Sequence, residues 1–196
     1  MILTQDNEYA VLLDACVLVP MPLCDTLLRL AEEPAFYRPL WSEEILREVG
    51  DALEKKLHRS PFQVQRRLTQ MKETFPEANV DVPADLIQAI TCIPDADDRH
   101  VMAAAIRGNA NAIITVNTKD FPAECLDQYG IDCQTPDEFL MHQFHLDPEQ
   151  TLQKLDDQAF NIAKDRSYII ERLRVMVPTF SALVEYGPRF TQEEEG

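Results

Sequence analysis

The sequence predicts an α/β fold: an α/β/α sandwich with a central, mainly parallel sheet, followed by a helical C-terminal extension. Short apolar runs alternate with capped amphipathic segments up to about residue 145, which is typical of strands covered by helices on both faces. Beyond that point the pattern is purely helical. We therefore predict one domain over residues 1–145, a helical extension over residues 146–190 and a disordered polar tail over residues 191–196.

Three short apolar runs are predicted to be the strands of this sheet. They are YAVLLD at residues 9–14, NAIITVN at residues 111–117 and the weaker IDCQT at residues 131–135. A fourth segment, FYRPLW, contains Pro39 and is predicted to be a short extended piece only. Proline has no N–H to donate to a neighbouring strand, which argues against a central position in the sheet.

The helices are predicted from the residues that begin and end them. Ser42 is a typical N-cap residue, and the segment after it has apolar residues at helical spacing. Ser60 and Thr135 are each followed by proline and then by glutamine or glutamate at the third position, which indicates a capping box. Gly108 and Gly130 are predicted to end helices, since glycine readily adopts the left-handed conformation found there.

Composition limits the environment and the partners of the protein. No apolar run is long enough to span a membrane, and the N-terminal residues lack the basic start of a signal peptide, so we expect a cytoplasmic protein with no membrane partner. The five cysteines are scattered, so we expect neither a disulfide framework nor a zinc site, in keeping with a reducing compartment. The net charge of -16 opposes non-specific binding to nucleic acid.

Acidic side chains are predicted to converge at one edge of the sheet. Asp14 ends the first strand and Asn117 ends the second, and ligands of open α/β sheets bind beyond the carboxyl ends of the strands. Asp98 opens the helix before the second strand, although an aspartate there can equally be a simple helix cap. Several carboxylates in one cleft repel each other, and Mg²⁺ or Mn²⁺ would relieve that repulsion and support phosphodiester hydrolysis.

Five motifs follow one another in the order and spacing of a known family. They are LLDACVL, WSEEILREV, DADDRHVMAAAI, AIITVNTKDFP and TPDEFL, spread over about residues 9–141. With them the sequence resembles the PIN-domain family, and within it the longer bacterial proteins related to the VapC toxins of toxin–antitoxin pairs. The resemblance implies a Mg²⁺- or Mn²⁺-dependent endoribonuclease that acts as the toxin of a type II pair. It also implies an RNA substrate, a cognate antitoxin protein and, as an option, a homodimer.

The resemblance also assigns roles to individual residues. The catalytic positions of the family fall on Asp14, Glu48, Asp98 and Asn117, and the metal ligands on Asp14, Glu48, Asp98 and Asp120. The fourth position departs from the family pattern, because many relatives have an acid where Asn117 stands. Asn117 can offer a carbonyl oxygen but no charge, and Asp120 lies three residues further on. The choice between these two residues, and between one metal ion and two, stays open.

A basic segment is the predicted contact surface for RNA. Residues 55–72 contain no acid, although acids outnumber bases in the chain by 34 to 18. Such a segment favours phosphate binding; the alternative is that its bases pair with acids elsewhere on a crowded acidic surface. The residues predicted to contact RNA are Lys55, Lys56, Arg59, Arg66 and Arg67, with Arg99 and Lys119 as further contacts beside the acidic site.

Two other interpretations compete with an active nuclease. A phosphatase of the haloacid-dehalogenase type also begins with an aspartate after the first strand, but it needs a second aspartate two residues later, where this chain has Cys16. The second alternative is a catalytically weak or inactive PIN module that serves as an RNA- or protein-binding scaffold, which the uncharged Asn117 makes plausible. The acids at the other three positions favour the nuclease.

Overall fold

The computed structural model describes residues 8–187 and contains a five-stranded parallel sheet of order β3-β2-β1-β4-β5. The strands are β1 (Ala10–Leu13), β2 (Arg38–Ser42), β3 (Asn79–Val80), β4 (Ala112–Ile114) and β5 (Asp132–Gln134). Every neighbouring pair in the sheet is parallel. The predicted α/β sandwich with a mainly parallel sheet and C-terminal helices is therefore confirmed.

Helices make the connections between the strands and form the chain after β5. The first seven are α1 (Ala15–Leu18), α2 (Leu23–Ala31), α3 (Glu43–Lys55), α4 (Pro61–Thr74), α5 (Ala84–Ala89), α6 (Arg99–Arg107) and α7 (Ala123–Asp127). The last four are α8 (Pro136–Leu146), α9 (Pro148–Asn161), α10 (Arg166–Leu173) and α11 (Pro178–Tyr186). A short 3-10 helix, Thr118–Asp120, follows β4.

The core is built around β1, the middle strand. All four of its residues are fully buried, as expected for a strand covered on both faces. The ring of Tyr37 packs edge-on against Phe139 of α8 with 5.0 Å between the ring centroids. Burying each large apolar side chain contributes roughly 1.5–3 kcal/mol. This rigid centre fixes the carboxyl ends of β1 and β4, where the candidate site lies.

The structure places Pro39 in an internal strand, so the expectation that it excludes a central position was wrong. In a parallel strand, alternate residues direct their N–H groups to opposite neighbours. The N–H of Arg38 donates to the Tyr9 carbonyl at 2.9 Å, on the β1 side, and the N–H of Trp41 donates to the Ala78 carbonyl at 2.9 Å, on the β3 side. Pro39 therefore faces β3, where pairing begins only at Trp41, and no ladder bond is lost.

The predicted helix starts are confirmed. The Ser42 hydroxyl accepts a hydrogen bond from the N–H of Ile45 at the start of α3. Ser60 and Thr135 each begin a complete capping box, with both reciprocal hydrogen bonds present. Such caps satisfy N–H groups that have no partner inside the helix, so the sequence fixes where these three helices begin.

The two glycines predicted to end helices behave differently. Gly130 has a φ of 64° and confirms the prediction, whereas Gly108 has a φ of -83° and the left-handed residue is Asn109, with a φ of 50°. Gly108 is needed for space instead. A Cβ added there would lie 2.8 Å from a methyl group of Leu40 and 3.0 Å from one of Val80, so a side chain would push α6 away from the sheet.

The C-terminal helices pack on the rest of the described chain through polar as well as apolar contacts. The buried hydroxyl of Thr26 in α2 donates to Oε1 of Gln158 in α9 at 2.9 Å. The N–H groups of Thr179 and Phe180 donate to the carboxylate of Asp137 at 3.0 and 2.8 Å, which joins the start of α11 to the start of α8. The division of the chain near residue 145 stays a prediction, and the predicted tail lies outside the described residues.

One cysteine pair corrects the expectation that the chain has no disulfide. Cys92 and Cys125 are joined by a disulfide, with their Cα atoms 5.5 Å apart and a sequence separation of 33. Cys92 precedes the loop that carries Asp98, and Cys125 lies in α7. Their pairing depends on tertiary structure, which is why scattered spacing did not reveal it. The cysteines consequently give no support for a reducing compartment.

Within residues 8–187, none of the helices combines the length and the apolar character needed to cross a membrane.

Candidate active site

One cleft at the carboxyl end of the sheet brings together the four predicted catalytic residues. It has a volume of about 710 Å³, and Asp14, Glu48, Asp98 and Asn117 all line it. Asp14 follows β1, Asn117 follows β4, Asp98 immediately precedes α6, and Glu48 lies in α3. Asp120 is not among the lining residues, but its charge acts on Asp98.

The carboxylate of Asp14 is buried and held in place by two donors. Asp14 occupies the N-cap position of α1 but makes no capping hydrogen bond. Its Oδ2 instead accepts hydrogen bonds from the Thr115 hydroxyl at 2.7 Å and from the Cys16 thiol at 3.1 Å. Burial, and then the charge of Asp14, raise the pKa of the Cys16 thiol to about 12, so it stays protonated and able to donate. Oδ1 of Asp14 accepts no hydrogen bond from a described residue.

Thr115 is the site residue that the sequence interpretation missed. It is fully buried immediately after β4. Its hydroxyl donates to Asp14 and at the same time accepts the N–H of Asn117 at 3.0 Å. A hydroxyl can donate once and accept twice, so this side chain connects the ends of β1 and β4. The available signal was a hydroxyl residue directly after a buried strand, within the motif AIITVN.

Asp98 lies among other negatively charged side chains. It stands at the N-cap position of α6, yet its side chain makes no capping bond, so the simple cap interpretation finds no support. Partial burial, followed by the negative charges of Asp120, Asp95 and Asp14, raises the pKa of Asp98 to about 6. The Asp95 carboxylate accepts the N–H of Asp97 at 2.9 Å and shapes the turn before α6. Burial and the neighbouring negative charges therefore outweigh the charge of His100, which lowers the pKa of Asp98.

The carboxylate of Glu48 is positioned by a histidine. Its Oε1 lies 3.1 Å from Nε2 of His100, a buried residue of α6. Burial by itself lowers the pKa of His100, but the hydrogen bond to Glu48 and the charges of Glu48, Glu44 and Asp14 outweigh it and raise that pKa overall. Glu44, one turn before Glu48, pairs with Arg47 at the surface instead.

The donor chemistry of the cleft fits a hard divalent cation. Carboxylates of Asp14, Glu48 and Asp98 and the amide oxygen of Asn117 are the ligand types that Mg²⁺ and Mn²⁺ prefer. Among residues 8–187, no three His, Cys, Asp or Glu side chains lie close enough together to hold an ion. Mg²⁺ usually binds through one or two carboxylates while keeping several waters, so the site fits an ion of this kind.

The predicted RNA-binding residues fall into three groups. Lys55 and Lys56 line the cleft, and Lys55 pairs with Asp51 at 2.9 Å. Arg59, Arg66 and Lys119 are exposed. Arg67 and Arg99 are bound to backbone carbonyls, and these two guanidinium groups have structural roles: Arg67 donates to the carbonyls of Leu18 and Val19, and Arg99 donates to that of Ile93 at 3.3 Å.

Replacing Arg67 with alanine is expected to lower the free energy of unfolding by about 1–3 kcal/mol. The substitution removes two charge-assisted hydrogen bonds and leaves the carbonyls at the end of α1 without their donor. Urea denaturation measures the loss. Arg66→Ala, at the exposed neighbouring position, is the matched control and should change stability by less than about 0.5 kcal/mol. Equal effects of the two substitutions would contradict the structural role of Arg67.

Comparison with known proteins gives one family match and one partial relative. A family model described as PIN domain matches residues 10–119. A stretch of 54 residues is 48% identical to VapC50, a candidate ribonuclease of Mycobacterium tuberculosis. This stretch covers 28% of the chain and 32% of that relative, so the chain spans about a third of the relative's length. The four cleft residues lie inside the family match, and Asp120 lies one residue beyond it.

Proposed function

Because the chain belongs to the PIN domain family, we propose that it is a metal-dependent endoribonuclease that hydrolyses phosphodiester bonds of RNA. The observation that carries this proposal is the acidic cleft, in which Asp14, Glu48, Asp98 and Asn117 meet. Two lysines, Lys55 and Lys56, line the same cleft, so that a phosphate-binding charge stands beside the acids. The partial similarity to VapC50 supports RNA as the substrate.

Asp14, Glu48 and Asp98 are the residues that would hold Mg²⁺ or Mn²⁺, one or two of them directly and the others through waters that the ion keeps. Asn117 or Asp120 would complete the set. The bound ion would activate water and neutralise charge that develops on the phosphate. Thr115 and Cys16 fix the carboxylate of Asp14 before any ligand arrives, and His100 does the same for Glu48. Such fixed groups need little reorganisation during reaction.

The raised pKa of Asp98 makes the proposed metal binding depend on pH. With a pKa of about 6, Asp98 is mostly ionised at neutral pH, so its carboxylate is available to a cation. Below that pH a proton competes with the ion. We therefore expect the concentration of Mg²⁺ needed for half-maximal cleavage to rise as the pH falls below 6.

We further propose that the protein is the toxin component of a type II toxin–antitoxin pair and acts in the cytoplasm. The resemblance of the motifs to the VapC toxins supports the toxin role, and the partial relative is itself named ribonuclease VapC50. The net charge of -16 favours a basic partner segment as the antitoxin contact. Expression without an antitoxin is expected to stop bacterial growth. A homodimer belongs to the same proposal, and sedimentation of the purified chain measures it.

A catalytically weak or inactive scaffold is the second candidate function. Asn117 favours it, because an amide attracts a cation less strongly than the acid found at this position in many relatives. The scaffold would still bind RNA or protein through the basic residues near the cleft. Asp14, Glu48 and Asp98 speak for the nuclease, since a scaffold needs no buried, held carboxylate such as that of Asp14.

The test of the nuclease is cleavage of total cellular RNA by the purified chain with Mg²⁺, with Mn²⁺ and with EDTA. Cleavage that depends on metal, with mapped ends, would support the proposal and identify the target RNA. Absence of cleavage with both metals would favour the scaffold, provided that the preparation is folded and free of partner protein.

Replacing Lys55 and Lys56 together with alanine is expected to weaken RNA binding. The slope of log affinity against log salt concentration should become shallower by up to about 2. Each phosphate contact contributes about 1 to this slope, and both lysines line the cleft. Filter binding at several salt concentrations gives the slope. Arg107→Ala, at the other end of α6 from Asp98, is the matched control for lost charge. An unchanged slope in the lysine variant would remove these residues from the interface.

A further inference from the structure

An exposed aromatic ring stands at the turn between α3 and α4. Phe62, the second residue of α4, is 75% exposed, and Leu57 before the turn is 47% exposed. Phe62 and Arg66 lie one helical turn apart on the same exposed face of α4, and Arg59 lies in the turn itself. We call Leu57, Arg59, Phe62 and Arg66 the hairpin tip.

The cations at the hairpin tip have no acidic partners. Arg59, Arg66 and the neighbouring Lys56 form no ion pair within residues 8–187. The hairpin tip also lies within residues 55–72, a stretch without any acid in a chain with 34 acids and 18 bases. The hairpin tip is therefore a local positive surface on an acidic protein and fits a polyanion.

The backbone holds the hairpin tip in one arrangement. The N–H of Arg59 donates to the Leu53 carbonyl at 3.0 Å, and the capping box of Ser60 fixes the start of α4. The two helices approach closely at Gly50, where an added Cβ would lie 3.5 Å from side chains of Val64 and Leu68. Phe62 thus projects from a fixed frame, so that little order has to be gained when a ligand binds.

We propose that Phe62 is a stacking platform for an unpaired base of RNA, flanked by Arg59 and Arg66 as phosphate contacts. An exposed aromatic ring beside unpaired cations is the arrangement by which proteins bind single strands. A base inside a duplex has no free face to stack. The proposal rests on the proposed nuclease function, because the same strand is taken to continue into the acidic cleft.

The hairpin tip lies close enough to the cleft for one RNA strand to contact both. Lys56 lines the cleft and is six positions before Phe62. Six residues of chain span at most about 20 Å. A single OB fold binds about 4–16 nucleotides of single strand, and a strand of that length can contact Phe62, Arg59 and Lys56 and still reach the acids. Phe62 would then set which nucleotide lies at the site of cleavage.

The experiment measures binding of a 12-nucleotide RNA that carries one 2-aminopurine, using the Asp14→Asn background so that cleavage does not interfere. Four variants are compared: Phe62→Ala, Phe62→Leu, Phe62→Trp and, as the matched control, Phe160→Ala, another ring with 82% exposure on α9. Affinity, the salt slope of the affinity and the quenching of 2-aminopurine fluorescence are recorded. A duplex of the same sequence is the second ligand, and sedimentation reports self-association.

Phe62→Ala and Phe62→Leu are expected to weaken single-strand binding by roughly 5- to 100-fold and to lose the fluorescence quenching. The salt slope should stay unchanged, because stacking releases no counterions, and Phe62→Trp should retain both affinity and quenching. Duplex binding and Phe160→Ala should match the Asp14→Asn parent. No detectable single-strand binding by that parent, or unchanged binding by Phe62→Ala, would overturn the proposal.

Two further outcomes separate this inference from the proposed nuclease and from a protein interface. Single-strand binding that depends on Phe62 in a protein that cleaves no RNA would support the platform and contradict the nuclease. Cleavage by a protein whose RNA binding does not depend on Phe62 would support the nuclease and contradict the platform. If Phe62→Ala changed sedimentation alone, the hairpin tip would be a contact between copies of the chain, and the platform would be rejected.

Discussion

Asp14→Asn is expected to reduce the rate of RNA cleavage by about a thousandfold without unfolding the protein. A divalent ion contributes several kcal/mol to catalysis, and each 1.36 kcal/mol corresponds to about a tenfold change in rate. Asparagine keeps an acceptor for the Thr115 hydroxyl and the Cys16 thiol but removes the negative charge at the carboxyl end of β1. The single-turnover rate at saturating Mg²⁺ is the measurement.

Glu44→Gln is the matched control for this loss of charge. Glu44 lies on the same helix as Glu48 but pairs with Arg47 at the surface, so its removal should leave the cleavage rate within about twofold of the parent. Urea denaturation of both variants checks the fold. A cleavage rate for Asp14→Asn within tenfold of the wild type would exclude Asp14 as a metal ligand.

The sequence was sufficient for the features that depend on local chemistry. Ser60 and Thr135 begin helices because their hydroxyls satisfy nearby N–H groups, and the side chains that do this are close in sequence. β1 was recognisable because a fully buried strand consists of apolar residues only. Asp14 stood out because a charge at the end of such a strand needs a reason.

The features that were missed depend on residues far apart in sequence. Pro39 fits in β2 only because pairing with β3 begins two residues later, and Cys92 meets Cys125 only after folding. Thr115 acts through Asp14, 101 positions away. The hydroxyl residue directly after a buried strand was a local signal, but nothing in the sequence identifies Asp14 as its partner.

Two neighbouring arginines of the basic segment also differ for a reason that lies outside the local sequence. Arg66 and Arg67 are adjacent and chemically identical, but one is exposed and the other donates to the carbonyls of Leu18 and Val19. Which of them faces solvent depends on how α4 packs against α3 and α1. The predicted RNA surface is therefore better represented by Lys55, Lys56 and the exposed arginines than by the whole segment.

Asp98→Asn is expected to abolish the proposed RNA cleavage and at the same time to stabilise the metal-free protein. The pKa of Asp98 is raised to about 6 by burial and by neighbouring acids, whereas an unfolded aspartate titrates near 3.9. The folded protein therefore loses stability as the pH rises from about 4 to 6, because the unfolded chain ionises more readily. The variant escapes this loss, which we place at about 1 kcal/mol above pH 6 after allowing for solvent screening.

Thermal unfolding in EDTA and in Mg²⁺ tests both parts of this expectation. In EDTA at pH 8 the variant should unfold about 2–4 °C above the wild type, and this difference should vanish at pH 4, where both side chains are neutral. In Mg²⁺ the order should reverse, since the ion binds and stabilises only the site that retains its carboxylates. A variant that is less stable than the wild type in EDTA at pH 8 would show that Asp98 supports the fold rather than the function. The expected pattern would instead identify the acidic cluster as a destabilising feature that the bound cation compensates.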